Sequence, residues 1–237
     1  TVSASNGWRE TLVAHWQRPQ PSLLCRALQP VSWLYGALAA AERAIYDRGL
    51  RSREAAPRPV IVVGNLFAGG AGKTPTVIAI VRLLRSWGLQ PGVISRGYGR
   101  HDVNTQMVGP DSRAGEVGDE PLLIHRRTRA PVAVGTRRAE AARVAVAAQP
   151  AIDVLVADDG LQHHALARDV QVMVFDARGV GNGLLLPAGP LRQPMPAQVP
   201  AASLVLYTDG MASTPLPGFT ATRRLAGAVE LAAWWRN

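Results

Sequence analysis

The chain has 237 residues, 47% of them hydrophobic but only 5% aromatic, with one cysteine and a formal net charge of +9. That length suits one large domain, or one and a half ordinary ones, around a core of Val, Leu, Ala and Ile. The lone Cys25 excludes an internal disulfide and points to a reducing compartment. The arginines are spread along the chain without a DNA- or RNA-binding motif, so the charge reads as attraction to an anionic membrane face or a phosphorylated substrate; no nucleic-acid partner is expected.

At the N-terminus, Thr1-Val2-Ser3-Ala4 has no basic stretch leading into an apolar one, so no signal peptide is read. With no initiating methionine, the chain is expected to be a fragment or a processed product. The least polar early stretch, Val31 to Ala41, is too short to cross a bilayer core, which takes about 20 helical residues. It carries Trp33 and Tyr35 between Arg26 and Arg43, with Arg48 beyond. It reads either as a helix lying in the membrane interface or as one packed on the protein's own core.

Arg51 to Arg58 is a polar connector. Apolar strand candidates then alternate with helical patterns: strands at 60–64, 91–95, 131–135, 153–157, 170–175 and 203–207, helices at 74–87, 119–128 and 137–148. Strands apolar on both faces, with helices between them, predict an α/β fold of P-loop NTPase type, a mostly parallel sheet with helices on both faces, preceded by an N-terminal helical region. Three regions are expected: a helical, membrane-associating part at 1–57, a P-loop core at 58–208, and a linker with the start of a C-terminal subdomain at 209–237. Pro187 to Pro200 and Asp209 to Pro217 read as loops, Ala226 to Asn237 as the start of a helix.

Ligands of such sheets sit at the carboxyl ends of strands. After strand 60–64 comes Phe67-Ala68-Gly69-Gly70-Ala71-Gly72-Lys73-Thr74. Strand, glycine loop, Lys-Thr and helix make the layout of a P-loop, whose backbone N–H groups and helix N-terminus face phosphate oxygens while the Thr74 hydroxyl meets Mg²⁺. The usual spacing wants glycine at 67, where this chain has Phe67. Lys73 is the only lysine; the other basic side chains are all arginine. A compact ammonium on a slim stem fits inside a loop wrapped round a triphosphate, where a wide planar guanidinium does not. Residues 67–74 are therefore expected to bind the phosphates of a nucleotide.

After strand 91–95, the glycines of Ser95-Arg96-Gly97-Tyr98-Gly99-Arg100 let backbone approach a ligand. Arg96 either grips a phosphate or is simply solvated. Gly118-Asp119-Glu120-Pro121 opens a helix; Asp119 is either a helix-start residue or a general base accepting a hydroxyl proton. Arg138, past strand 131–135, either neutralises a transferring phosphoryl group or is solvated. Strand 153–157 runs into Asp158-Asp159-Gly160-Leu161-Gln162-His163-His164. An apolar strand ending in aspartate is the Walker B arrangement for Mg²⁺, and adjacent carboxylates repel unless a cation is near; the alternative is that Asp-Asp-Gly is an ordinary turn. Gln162 and His163 have the chemistry to orient substrate or metal-bound water, although a histidine beside a turn is also common on plain surfaces. Gly181-Asn182-Gly183 and Gly189-Pro190-Leu191-Arg192 form a loop expected to close over the substrate.

Together these segments resemble the tetraacyldisaccharide 4'-kinase family of lipid A biosynthesis. The resemblance rests on Val31-Ser32-Trp33-Leu34-Tyr35-Gly36, Gly64-Asn65-Leu66 through Gly69-Gly70-Ala71-Gly72-Lys73-Thr74-Pro75, and Ser95-Arg96-Gly97-Tyr98-Gly99. It continues through Gly118-Asp119-Glu120-Pro121, Asp158-Asp159-Gly160-Leu161-Gln162-His163 and Leu186-Pro187-Ala188-Gly189-Pro190-Leu191-Arg192, covering about residues 28 to 210. In this family position 67 is ordinarily not glycine. The resemblance implies Mg²⁺-dependent transfer of the ATP γ-phosphate to the 4'-hydroxyl of an acylated glucosamine disaccharide 1-phosphate. The place implied is the cytoplasmic face of the bacterial inner membrane, with the enzyme peripheral to it and no obligate protein partner. Carried over, Asp119, Asp159, Arg138 and His163 are catalytic. Thr74, Asp158, Asp159 and Glu120 serve the metal, and Arg96, Tyr98, Gln162, Asn182 and Arg192 serve the substrate. Family members are longer and carry an Asp-His motif in a C-terminal portion; this chain has no Asp-His dipeptide. Two other readings remain: a P-loop switch ATPase, whose loop often has a lysine where this chain has Ala68, and a catalytically silent nucleotide-binding fragment.

Overall fold

The computed structural model describes residues 7–222. Two helices, α1 (Gly7–Trp16) and α2 (Leu23–Asp47), precede the sheet. Then follow β1 (Val60–Gly64), α3 (Lys73–Ser86), β2 (Pro91–Ser95), β3 (Gln106–Met107), α4 (Ala114–Val117), α5 (Asp119–Thr128), β4 (Val132–Val134) and α6 (Arg138–Ala148). The remaining strands are β5 (Val154–Asp158), β6 (Val170–Phe175), β7 (Ser203–Tyr207) and β8 (Phe219–Thr220).

All eight strands join one sheet in the order β3-β4-β2-β5-β1-β6-β7-β8, parallel except for β3. The central strands are buried along their length, which is why they read as apolar without alternation. Connections from β1 to β2 and from β2 to β4 run one way along the sheet, and the connection from β4 to β5 runs back. Right-handed crossovers therefore put α3 and α5 on one face and α6 on the other. In keeping with that, α3 packs on β1, β2, β5 and α5, while α6 packs on β2, β3 and β4. The core beneath them is dominated by aliphatic side chains such as Val62, Ile94, Leu155 and Val156, each fully buried. Each such side chain contributes about 1.5–3 kcal/mol relative to exposure.

All six strands expected from the sequence form, and β5 ends one residue later, which draws Asp158 into the strand. The two-residue strands β3 and β8 were not foreseen; β8 extends the sheet past 208, where the sequence reading ended the core. The helix expected to start at Ala226 lies outside the described residues.

Helix α2 runs well beyond Val31–Ala41, from the N-cap Ser22, whose hydroxyl accepts from the Cys25 amide at 3.3 Å. It hangs on the loop before Arg192 rather than on the sheet. Ser32 Oγ donates to the Leu185 carbonyl at 3.0 Å and accepts from the Ala188 amide at 2.9 Å; Tyr35 donates to the Arg192 carbonyl at 2.8 Å. The opposite side of α2 is open. Ala27, Val31, Leu34, Leu38, Ala41 and Ile45, spaced three and four apart, are all exposed. No described helix is long and apolar enough to cross a membrane.

Candidate active site

Parallel strands end on one edge of a sheet, and there the following loops meet. β1 and β5 are neighbours with Val63 opposite Asp158. The glycine loop and the aspartate pair therefore leave the sheet side by side. Gly72, at φ +79°, turns the loop into α3 in a conformation that strains any residue with a Cβ. Lys73 becomes the first helical residue and Thr74 the second.

Lys73 is 8% exposed, with its ammonium 3.3 Å from Asn65 Oδ1 and 3.6 Å from Asp159 Oδ1. Asp159 also accepts from Arg192 Nη1 at 3.2 and 3.3 Å. The same Nη1 reaches Gln162 Oε1 at 3.4 Å, and Gln162 Nε2 donates to the Asn65 carbonyl at 3.0 Å. Lys73, Asp159, Arg192, Gln162 and Asn65 thus close a ring of polar contacts.

Asp158 lies deeper, 1% exposed. Ser95 donates to its Oδ2 at 3.5 Å, and its Oδ1 has no partner among the described residues. Burial above all, then the charges of Glu120 and Asp159, push its pKa up to about 7 against the pull of Lys73 and Arg138. Arg138 is 4% exposed; burial lowers its pKa to about 10, opposed by the Asp158 charge. His163 is held near a pKa of about 4 by burial and by the cations Arg138, Arg168 and Arg96, so it is neutral at physiological pH.

Most of the residues singled out from the sequence meet on this edge: Lys73, Thr74, Asp158, Asp159, Gln162 and Arg192, with Glu120, Arg96 and Arg138 close enough to bear on the buried charges. Asp119 and Glu120 are exposed in the first turn of α5. Its N-cap, Gly118 at φ +91°, abuts the Arg96–Tyr98 loop so closely that a Cβ would sit 3.0 Å from Gly97 Cα. Four of the expected residues stand apart from this cluster. Phe67 is a core side chain, 2% exposed with its ring 6.1 Å from that of Phe175, and the Ala68 amide already donates to the Pro190 carbonyl at 2.7 Å, so the chain available to phosphate begins at Gly69. Asn182 serves its own loop, donating to the Ala188 carbonyl at 2.9 Å and accepting from the Leu184 amide at 3.1 Å. Tyr98 is 83% exposed and joins none of these contacts among the described residues.

Sequence reasoning gave no role to Asn65 or Ser95, each at or just past a strand's carboxyl end, or to Arg178 after β6. Their positions beyond strand ends were the available signal.

Among the described residues no three His, Cys, Asp or Glu side chains converge on one point, so Asp158, Asp159 and Glu120 form no carboxylate cage. Mg²⁺ needs none: it is held through one or two carboxylates, with waters and phosphate oxygens completing the shell. The unpartnered Asp158 Oδ1 and the hydroxyl of Thr74 suit that ion.

A parallel α/β sheet, a glycine loop leading through Lys-Thr into a helix, and an aspartate ending the adjacent strand define a P-loop nucleotide-binding protein. A sequence model described as tetraacyldisaccharide-1-P 4'-kinase, LpxK, matches residues 24–232, and the chain belongs to that family. It is 54% identical over 227 residues to a tetraacyldisaccharide 4'-kinase of Methylibium petroleiphilum, covering 95% of this chain and 63% of the relative. It is 55% identical over 211 residues to that of Leptothrix cholodnii, covering 89% and 61%. The solved structure of LpxK from Aquifex aeolicus in complex with ATP superposes with a TM-score of 0.72 at 28% identity, covering 84% of this chain and 64% of that one. The chain thus spans about three fifths of the length of these curated relatives.

Proposed function

We propose that the chain is the nucleotide-binding and catalytic part of a tetraacyldisaccharide 4'-kinase. It would transfer the γ-phosphate of ATP to the 4'-hydroxyl of an acylated glucosamine disaccharide 1-phosphate in lipid A biosynthesis. The observation that carries this reading is the buried Lys73 ammonium, set in a glycine loop beside Asp158 and Asp159.

The hydroxyl oxygen forms a bond to the γ-phosphorus as the bond to the ADP oxygen breaks, and the hydroxyl proton leaves to a carboxylate. Asp119 is the base in this scheme: it is exposed at the head of α5, beside the loop carrying Arg96. The loop from Gly69 to Thr74 and the Lys73 ammonium hold the phosphates. Asp158 and Thr74, with Asp159 alongside, would hold Mg²⁺, which would supply charge neutralisation on the phosphate oxygens. Arg138, whose charge is felt by the same carboxylates, balances charge on the transferring group, while neutral His163 orients it. Arg192, Gln162 and Arg96 take the polar head of the acceptor.

A four-chain lipid stays in its leaflet, so the protein must come to the bilayer. The open stripe of α2 from Ala27 to Ile45 and the net charge of +9 suit the anionic cytoplasmic face of the inner membrane, with α2 lying in the interface. Incubating the chain with γ-labelled ATP, Mg²⁺ and the acylated disaccharide 1-phosphate should yield labelled lipid. Label appearing only as inorganic phosphate, at a rate indifferent to the acceptor, would overturn the kinase reading in favour of a switch ATPase.

A further inference from the structure

Four consecutive carbonyls of the glycine loop are each held by a donor from a different place. Asn65 Nδ2 donates to the Gly69 carbonyl at 2.9 Å, Arg178 Nη2 to that of Gly70, Thr208 Oγ1 to that of Ala71 at 3.4 Å, and Thr76 Oγ1 to that of Gly72 at 2.9 Å. A trans peptide points its N–H away from its C=O. Tying these carbonyls to the protein body turns the amides of Gly70, Ala71, Gly72 and Lys73 the other way, toward the space an anion would fill. Among the described residues, loop and turn hydrogen bonds use none of those four N–H groups.

Arg178 is the longest of these props, and it is itself locked. Its Nε lies 3.1 and 3.0 Å from the two oxygens of Asp176, which also accepts from the Arg178 amide at 3.0 Å. The guanidinium sits over the Phe67 ring, 5.4 Å from its centroid, within cation–π range. Asp176 is 7% exposed and directly follows β6, the neighbour of β1 on the side away from β5. The acids after β5 flank the loop on one side; an Asp-Ala-Arg turn flanks it on the other.

We infer that Asp176 and Arg178 are a positioning pair for the phosphate-binding loop, and that Thr208 assists them. Arg178 acts through the Gly70 carbonyl: its Nε and Nη2 are taken by Asp176 and Gly70. This rests on the nucleotide-binding part of the proposed function and adds a group of residues to it.

The test is calorimetric titration of ATP, ADP and AMP into the unsubstituted chain and its variants. Arg178→Ala should weaken ATP and ADP about tenfold, the scale of one hydrogen bond involving a charged group, and AMP far less, because the pair shapes the contact to the outer phosphates. Arg178→Lys keeps the charge but loses the fork, and should fall between wild type and Arg178→Ala; simple charge attraction would leave it at wild type. Because Arg178→Ala strands a buried carboxylate, the double variant Asp176→Asn with Arg178→Gln gives the same comparison without an unpaired charge. Thr208→Val should lose a smaller factor in the same ATP-over-AMP pattern. Wild-type ATP affinity in the folded Arg178 variants, or equal loss for ATP, ADP and AMP, overturns the positioning pair alone. Failure of the unsubstituted chain to bind ATP overturns the nucleotide site and the pair together.

Discussion

The ammonium of Lys73 lies 3.6 Å from Asp159 Oδ1, joining the end of β1's loop to the end of β5. Asp159 adopts φ +49°, a left-handed conformation uncommon for aspartate, and in it meets both Lys73 and Arg192. The carboxylate thus sits between two cations, one assigned to the ATP phosphates and the other to the polar head of the acceptor in the proposed reaction.

Lys73→Ala should abolish ATP binding; Asp159 keeps Arg192, but the buried Asp158 loses one of the two cations that offset its charge, so the melting temperature should fall modestly while the fold is kept. Lys73→Arg should fail almost as badly, because the guanidinium does not fit the 8%-exposed slot. Fluorescent-nucleotide titration checks both; ATP affinity retained in Lys73→Ala would refute the P-loop assignment.

Asp119→Asn should leave ATP affinity near normal and lower turnover by about 10²–10⁴, the usual contribution of a general base. Parallel measurement of ATP Kd and lipid phosphorylation rate decides. Loss of ATP binding would instead make Asp119 a ligand or a structural group.

His163 predicts the pH dependence of stability. Burial and neighbouring cations hold its folded pKa near 4, below the ordinary 6.5. Between those values the unfolded chain binds the proton and the folded chain does not, so stability rises with pH across that window and the His163 contribution is lost as pH falls through it. Urea unfolding at a series of pH values from 4 to 7 should show a shallower slope for His163→Asn than for wild type. Equal slopes would mean that the imidazole is not shielded.

Leu34→Glu with Leu38→Glu tests the membrane reading of α2. Both side chains are more than 60% exposed, at 62% and 63%, so the fold should be unaffected. Co-sedimentation with anionic phospholipid vesicles should drop sharply. Undiminished binding would remove the stripe as the contact surface.

The central strands were legible because burial on both faces leaves an unbroken apolar run, as in Val60-Ile61-Val62-Val63, which needs no knowledge of partners. β3 and β8 were not: a two-residue strand carries no period. α2 was foreshortened because its outward face, Ala27 to Ile45, is as apolar as its inward one, and Pro30 interrupts the pattern. Lys73 and Asp158 were legible as strand-end chemistry. That β1 and β5 are neighbours was not, since strand order is set by crossovers rather than by local sequence. Asn65 and Arg178 escaped for a related reason: each acts on a backbone carbonyl, and only folding brings that carbonyl within reach.

Arg192 has two ends. Its backbone oxygen is fastened to Tyr35 on α2, and its side chain is fastened to Asp159. If α2 rests in the leaflet, one amino acid fixes the depth at which the reaction centre rides above the headgroups. The leaflet and the phosphates then share a common datum, and a tilt of the helix is felt directly at the carboxylate.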